Sequence, residues 1–168
     1  MNVLLLCYYS LDSDKFASIL DGSNWLQYIS SILNAANTIV EKSLKKGVAA
    51  LVHCSDGWDR TTQIVSLIQM MVDPYYRSIE GFEILIEKDW VAFGHQFRLR
   101  HGTKNRDDKD QKAPIFLQFL DCVHQLHNQF PHAFEFNLKF LSDLAYYSYT
   151  TIFGTFICDR FEVILFFL

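Results

Sequence analysis

The sequence is constrained most by one short segment, residues 53–62, which reads HCSDGWDRTT. Within it, Cys54 lies six positions before Arg60. An apolar run, residues 48–52, precedes the segment, and apolar residues recur at helical spacing over residues 64–72. A loop between a strand and a helix can direct several backbone N–H groups toward one point. The pattern therefore predicts an anion-binding loop with a cysteine at its base.

The residue types in this loop suit nucleophilic attack on a phosphate. A helix N-terminus and a nearby cation can lower a cysteine pKa from ~8.5 to roughly 3.5–7.5, which makes the thiolate available. The planar guanidinium of Arg60 can hold two phosphate oxygens, and Gly57 supplies the backbone freedom that a tight loop needs. We therefore predict in-line attack by Cys54, a cysteinyl-phosphate intermediate, and hydrolysis by water.

The leaving alcohol needs a proton, and the loop offers two carboxylates, Asp56 and Asp59. We predict that Asp59 is the general acid, because it is next to Arg60, and that Asp56 contacts the substrate. The reverse assignment stays open at this point.

A cysteine six residues before an arginine is a weak signal by itself, since four cysteines and six arginines in one chain produce such a spacing by chance. The alternative is that Cys54 is an ordinary buried thiol and Arg60 a surface cation. The other three cysteines do not repeat the spacing. The apolar run before the loop, the internal glycine, Thr61 and the helical pattern after it favour the catalytic interpretation.

Composition narrows the class of protein. At 168 residues the chain is long enough for one domain with a core, and its net charge of −4 argues against a nucleic-acid partner. Its cysteines are widely spaced, which suits a reducing, cytoplasmic location. The longest apolar tracts are well short of the ~20 residues of a membrane span.

His124 and His127 have a spacing that can hold a metal, but no third ligand is evident, so we predict no metal and no cofactor.

The chain in order predicts an α/β fold, a parallel sheet with flanking helices. The clearest helix begins at Trp25, with Ser23 or Asn24 as cap and Gln27 completing a capping box, and ends before Gly47. Residues 48–52 are predicted to form a buried strand. Further helices are predicted over residues 64–72, from 79 to about 93, over 114–130, and over 138–144 with Asn137 as the cap. One strand beside at least five helices indicates a partial, helix-rich domain.

Residues 53–62 resemble the myotubularin family of phosphoinositide 3-phosphatases, whose signature loop reads HCSDGWDRT. The resemblance runs over residues 25–159 and includes the stretches 75–97, 114–137 and 153–156. It implies a fold of the cysteine-phosphatase type, that of the protein tyrosine phosphatase superfamily. Residues 1–168 are accordingly expected to be a single partial myotubularin-type phosphatase domain.

The resemblance also implies a reaction and a location. The expected activity is removal of the 3-phosphate from phosphatidylinositol 3-phosphate and from phosphatidylinositol 3,5-bisphosphate, without a metal. The expected partner is a phosphoinositide at a membrane surface, and the expected location is cytoplasmic, peripheral on endosomal membranes. Homo-oligomers or hetero-oligomers with related family members are expected through segments outside this sequence.

Site residues follow from the resemblance position by position. They are Cys54 as nucleophile, Asp59 as acid, Arg60 as phosphate clamp, Ser55, Asp56, Gly57 and Trp58 as the substrate-binding cradle, and His95 and Arg100 as substrate-binding residues beyond the loop. At Gln96 the sequence departs from the Arg or Lys of active relatives, which leaves recognition of a 5-phosphate open. Two other functions stay open as well, a cysteine-based protein tyrosine phosphatase and an inactive fragment or scaffold.

Overall fold

The computed structural model describes residues 13–103, 111–150 and 152–157. Short helical turns occur at Pro74–Arg77 and Pro131–Ala133, and a π-helical turn occurs at Glu87–Ala92. The described helices are α1 (Ser13–Gly22), α2 (Trp25–Lys46), α3 (Arg60–Val72), α4 (Ile79–Ile86), α5 (Phe97–His101), α6 (Ile115–Gln129), α7 (Leu138–Tyr149) and α8 (Gly154–Ile157).

Helix α2 confirms the predicted helix from Trp25. Its end follows the expected rule, since Gly47 adopts a positive φ of 61° and donates its N–H to Ser43 O at 3.0 Å. Of the two predicted caps, Asn24 is excluded, because it adopts a left-handed conformation and makes no side-chain capping bond. Ser23 Oγ instead accepts from Trp25 N at 3.2 Å. The predicted capping box of Asn24 and Gln27 is therefore wrong, and Ser23 takes the capping role.

Helix α3 follows the loop directly and packs against both α2 and α6. It buries Leu67, as the spacing predicts, and also Met70, which the predicted apolar set does not include. Its carboxyl end is held by Arg77, whose Nη1 donates to Met70 O at 2.7 Å. These contacts fix the helix that begins at the loop within the core of the described part of the chain.

The core is built largely from aromatic rings. Trp90 on the π-helical turn is fully buried and packs against Phe116 and Phe119, with ring centroids 4.9 and 5.0 Å apart. Its indole N–H donates to Ser66 Oγ at 3.1 Å, which satisfies the buried donor. Among the described residues, six phenylalanines are buried, whereas Tyr146 is exposed; the six are Phe82, Phe97, Phe116, Phe119, Phe136 and Phe156.

The predicted strand at residues 48–52 is not confirmed. Residues 47–54 have no regular secondary structure, and the described part of the chain contains no strand at all. The physical reason is pairing, because a strand needs a neighbour to accept and donate its backbone hydrogen bonds. Without one, Val48 is 53% exposed and Leu51 90% exposed. The described residues are therefore a helix-rich assembly, and the parallel sheet of the α/β prediction does not occur among them.

Helices α1 and α7 differ in how far the sequence predicts them. Asn137 caps α7 as predicted, accepting from Phe140 N at 3.0 Å. Helix α1 was not predicted from the sequence. Residues 104–110 and residues 158–168 lie outside the described part of the chain. In the part of the chain that the structure describes, no helix has the length and apolar character to cross a bilayer.

Candidate active site

The loop turns directly from the non-helical residues 47–54 into α3. Gly57 at its middle has a φ of 87°, a conformation that residues with a Cβ rarely adopt. Thr62 Oγ1 donates to Gly57 O at 3.2 Å, so the helix itself holds the far side of the turn. The positive φ of Gly57 confirms the prediction that the loop needs a glycine at this position.

Donors converge on the sulfur of Cys54. Thr61 Oγ1 lies 3.1 Å and Gly57 N lies 3.3 Å from Sγ. Burial raises the pKa of the thiol, but hydrogen bonds from the Thr61 hydroxyl and from the backbone N–H groups of Thr61, Gly57 and Asp56 outweigh it and lower the pKa to about 7. A large fraction of Cys54 is therefore thiolate near neutral pH, which is what a nucleophile requires.

A cavity of about 200 Å³ opens over Cys54. It is smaller than the ~300–1,000 Å³ of pockets for drug-sized ligands, which suits a compact group such as a phosphoryl group. Grooves of about 420 and 650 Å³ lie elsewhere on the surface, but neither is lined by the nucleophile. The lining residues of the small cavity are Cys54, Ser55, Asp56, Trp58, Asp59, Arg60, Arg100, Ala113 and Ile115.

Arg60 and Arg100 bring two guanidinium groups to this cavity. Arg60 is exposed, and its Nη2 donates to Ser55 Oγ at 3.2 Å. Arg100 comes from α5, 40 positions further along the chain, and its guanidinium lies 4.7 Å from the centre of the Trp58 ring. The same lining holds two carboxylates, Asp56 and Asp59, so two cations and two anions face the cavity.

Asp59 is held by Arg100. Oδ2 of Asp59 accepts from Arg100 Nε at 2.9 Å and lies 2.7 Å from its Nη2. Nη1 of Arg100 donates to the backbone and side-chain oxygens of Gln111, at 2.8 and 3.2 Å. Arg100 is thus oriented on both sides, and it fixes the carboxylate that the sequence predicts as general acid.

His95 lies beneath the loop rather than in the cavity. Its side chain is fully buried, with Nδ1 3.0 Å from Trp58 O and 2.9 Å from Asp59 Oδ1. Only the contact with the Trp58 carbonyl has the geometry of a hydrogen bond. Oδ1 of Asp59 is therefore left as a buried acceptor without a hydrogen bond among the described residues. The position of His95 does not match the predicted substrate contact, because a buried ring cannot reach a ligand in the cavity.

The sequence did not reveal two long-range contacts near the loop, one between α3 and α6 and one made by Arg100 of α5. Gln63 Nε2 donates to Ile115 O at 2.9 Å and to Gln118 Oε1 at 3.2 Å. Gln111 orients Arg100 from the segment before α6. These partners lie 11 to 55 positions apart in the chain, so no local sequence pattern predicts the contacts.

Neither Gln96 nor Arg98 lines the cavity. Gln96 stands at the start of α5 and makes no side-chain capping bond. Within residues 13–103, 111–150 and 152–157 there is no group of three side chains that could hold a metal. His127, one of the two histidines with metal-ligand spacing, has its Nε2 3.1 Å from Phe136 O.

The Thr61 hydroxyl is predicted to set the reactivity of Cys54. In the wild-type chain, the rate of alkylation by iodoacetamide should rise with pH around a midpoint of about 7. Thr61→Val removes a donor that stabilises the thiolate, so its midpoint should move upward by about one pH unit. Thr61→Ser keeps the hydroxyl and should stay near the wild type. An unchanged midpoint in Thr61→Val would contradict this role of Thr61.

Comparisons with known proteins identify the family of the chain. Residues 2–162 match the family model of the myotubularin-like phosphatase domain. The chain is 46% identical over 156 residues to phosphatidylinositol-3,5-bisphosphate 3-phosphatase MTMR4 of Xenopus laevis, covering 92% of the chain and 14% of that protein. The proteins of the same name from Mus musculus and Homo sapiens are also 46% identical over 156 residues, with 13% of each covered.

The chain thus spans about one seventh of the length of the curated relatives it matches. The match of the family model nevertheless extends over nearly all of its residues, and it includes the whole loop from Cys54 to Arg60. The chain therefore belongs to the family of myotubularin-like phosphatase domains.

Proposed function

We propose that this chain hydrolyses the 3-phosphate of a phosphoinositide through a cysteinyl-phosphate intermediate. The observation that carries the proposal is the convergence of donors on Cys54 Sγ, which lowers the thiol pKa to about 7 at the floor of a cavity that also holds Arg60. The relatives named above are phosphatidylinositol-3,5-bisphosphate 3-phosphatases, which supports the lipid substrate.

The reaction proceeds in two steps at this loop. The Cys54 thiolate attacks phosphorus, the S–P bond forms, and the bond from phosphorus to the inositol oxygen breaks. Arg60 and the loop N–H groups stabilise the charge that spreads over the phosphoryl oxygens. A water molecule then attacks the cysteinyl phosphate, which releases inorganic phosphate and restores the thiolate.

Asp59 is the proposed donor of the proton to the leaving inositol hydroxyl, with Asp56 as the alternative. Asp59 is oriented by Arg100, and a general acid has to be positioned. In the structure neither oxygen of Asp59 is available to the substrate, because Oδ2 is bound by Arg100 and Oδ1 is buried. An anionic substrate that engages Arg100 would release Oδ2 toward the cavity.

The fold proposed for the whole domain is that of the protein tyrosine phosphatase superfamily, with residues 48–52 as a strand of its parallel sheet. The partner strands would lie outside the described residues. Exposure of Val48 and of Leu51 supports this, since a strand of such a sheet would expose its apolar side chains if its neighbours were absent.

The proposed substrates are phosphatidylinositol 3-phosphate and phosphatidylinositol 3,5-bisphosphate. Arg60 and Arg100 supply the two cations of the cavity wall. Gln96 is uncharged, so this position supplies no cation for a 5-phosphate. We therefore expect the monophosphate to be the better substrate. The proposed location is cytoplasmic, at the surface of endosomal membranes, with any oligomer formed through segments beyond this sequence.

A substrate panel tests the proposed function. Phosphate release is measured with phosphatidylinositol 3-phosphate, its 3,5-bisphosphate and a phosphotyrosine peptide, each with the wild type and with Cys54→Ser. Both lipids should be hydrolysed, and Cys54→Ser should abolish release, because serine at this position lacks a thiolate. Hydrolysis of the peptide alone would indicate a tyrosine phosphatase. A folded chain that hydrolyses none of the three would be an inactive fragment or scaffold.

A pH–rate comparison of Asp59→Asn and Asp56→Asn identifies the general acid. The acid must be protonated to act, so the wild-type rate should fall at high pH as that proton is lost. Asp59→Asn should remove this fall and lower the rate on the lipid by about 10²–10⁴-fold, with a smaller loss on p-nitrophenyl phosphate, whose leaving group needs no proton. Asp56→Asn should keep the high-pH fall. The opposite pattern would give the acid role to Asp56.

A further inference from the structure

His95 is the most deeply buried polar side chain at the site, and the reaction as described does not use it. It lies between the π-helical turn and α5, and its side chain has no exposed surface. Its backbone N–H is fixed by Trp90 O at 2.9 Å. Its ring packs edge-on against Trp90 and Phe97, with centroids 4.9 and 4.7 Å apart. The ring is therefore held in one orientation by the aromatic core.

The two polar neighbours of His95 Nδ1 are both acceptors. They are the backbone carbonyl of Trp58, at 3.0 Å, and the carboxylate of Asp59, at 2.9 Å. A carbonyl and a carboxylate can only accept, so Nδ1 carries the hydrogen. Nε2 of the same ring is buried without a hydrogen-bond partner among the described residues. A buried polar atom without a hydrogen-bond partner lowers the stability of the fold. If this position served only to fill the core, an apolar ring such as phenylalanine would avoid that cost.

The bond from His95 sets the direction of a peptide group in the loop. In a trans peptide the C=O and the N–H point in opposite directions, and the described residues contain no cis peptide. Trp58 O is drawn down toward the core by His95, so the N–H of Asp59 in the same peptide points away from the core. Trp58 and Asp59 both line the cavity, whereas His95 does not. The Asp59 N–H is thereby turned toward the cavity.

We propose that His95 is a positioning residue for the phosphate cradle, acting through the Trp58–Asp59 peptide. Its Nδ1–H fixes that peptide so that the Asp59 N–H faces the bound phosphoryl group. Its close approach to Oδ1 also keeps the Asp59 carboxylate where Arg100 can reach Oδ2. The inference rests on the proposed function for its kinetic consequences, but its effect on anion binding does not depend on turnover.

The test compares His95→Asn with His95→Leu. The amide nitrogen of asparagine can take the place of Nδ1 as donor, whereas leucine fills the aromatic cage and donates nothing. With phosphatidylinositol 3-phosphate, His95→Leu should lower kcat by about 10–100-fold and raise KM by no more than about tenfold, since one oriented donor is lost where charge develops. His95→Asn should recover most of the rate. Urea unfolding of each variant shows whether it is folded.

A second measurement does not require turnover. Tungstate, a tetrahedral oxyanion, is titrated into each protein by calorimetry, and it contacts the cradle without the membrane contacts that contribute to the lipid KM. Binding should weaken by about tenfold in His95→Leu and stay near wild type in His95→Asn. This pattern without lipid hydrolysis by the wild type would retain the positioning role and reject the proposed function.

Several results would overturn the role of His95. Equal tungstate affinity in the wild type and folded His95→Leu would show that the peptide does not depend on the ring. Equal loss in His95→Leu and His95→Asn would show that the Nδ1 donor is not what matters. A rise in KM with unchanged kcat in both variants would point to direct substrate contact, and no tungstate binding by the wild type would mean that no cradle exists.

Discussion

The site depends on the hydrogen bonds that α3 and the loop before it donate to the sulfur of Cys54. A thiol near 3 Å from the Thr61 hydroxyl and the Gly57 amide is stabilised as thiolate, although burial alone would favour the neutral form. That balance holds only while the first turn of α3 stays in place. The helix stays in place because it packs against α2 and α6 and because Arg77 holds its carboxyl end. The chemistry of one sulfur therefore rests on the packing of a whole helix.

A second set of contacts fixes the other side of the loop. Arg100 and His95 approach Asp59 and Trp58 from about 40 positions further along the chain. One contact is an ion pair at the cavity wall, and the other is a buried hydrogen bond to the backbone. Together they attach the loop to α5 and the aromatic core, so that a phosphoryl group meets donors that are already oriented. Preorganised donors stabilise charge without reorganising during the reaction.

Local patterns in the sequence predicted those parts of the structure that local chemistry determines. The spacing of Cys54 and Arg60, the period of α2 and α3, and the cap at Asn137 all depend on residues within a few positions of one another. The strand at residues 48–52 could not be settled this way, because it depends on pairing with chain that no nearby residue specifies. The burial of His95 beneath the loop depends on Trp90 and Phe97 packing in three dimensions. Resemblance marked His95 as important, but only the fold shows which atoms it contacts.

Cys54 is the proposed nucleophile, and trapping of the cysteinyl-phosphate intermediate would identify the attacking side chain. The chain is mixed with phosphatidylinositol 3-phosphate, quenched rapidly in acid, and digested for mass spectrometry of the cysteine-containing peptides. We expect a phosphoryl group on Cys54 and none on Cys122, which is fully buried and whose pKa burial raises to about 12. Release of phosphate with no phosphorylated Cys54 at any quench time, or with the phosphoryl group on another residue, would contradict it.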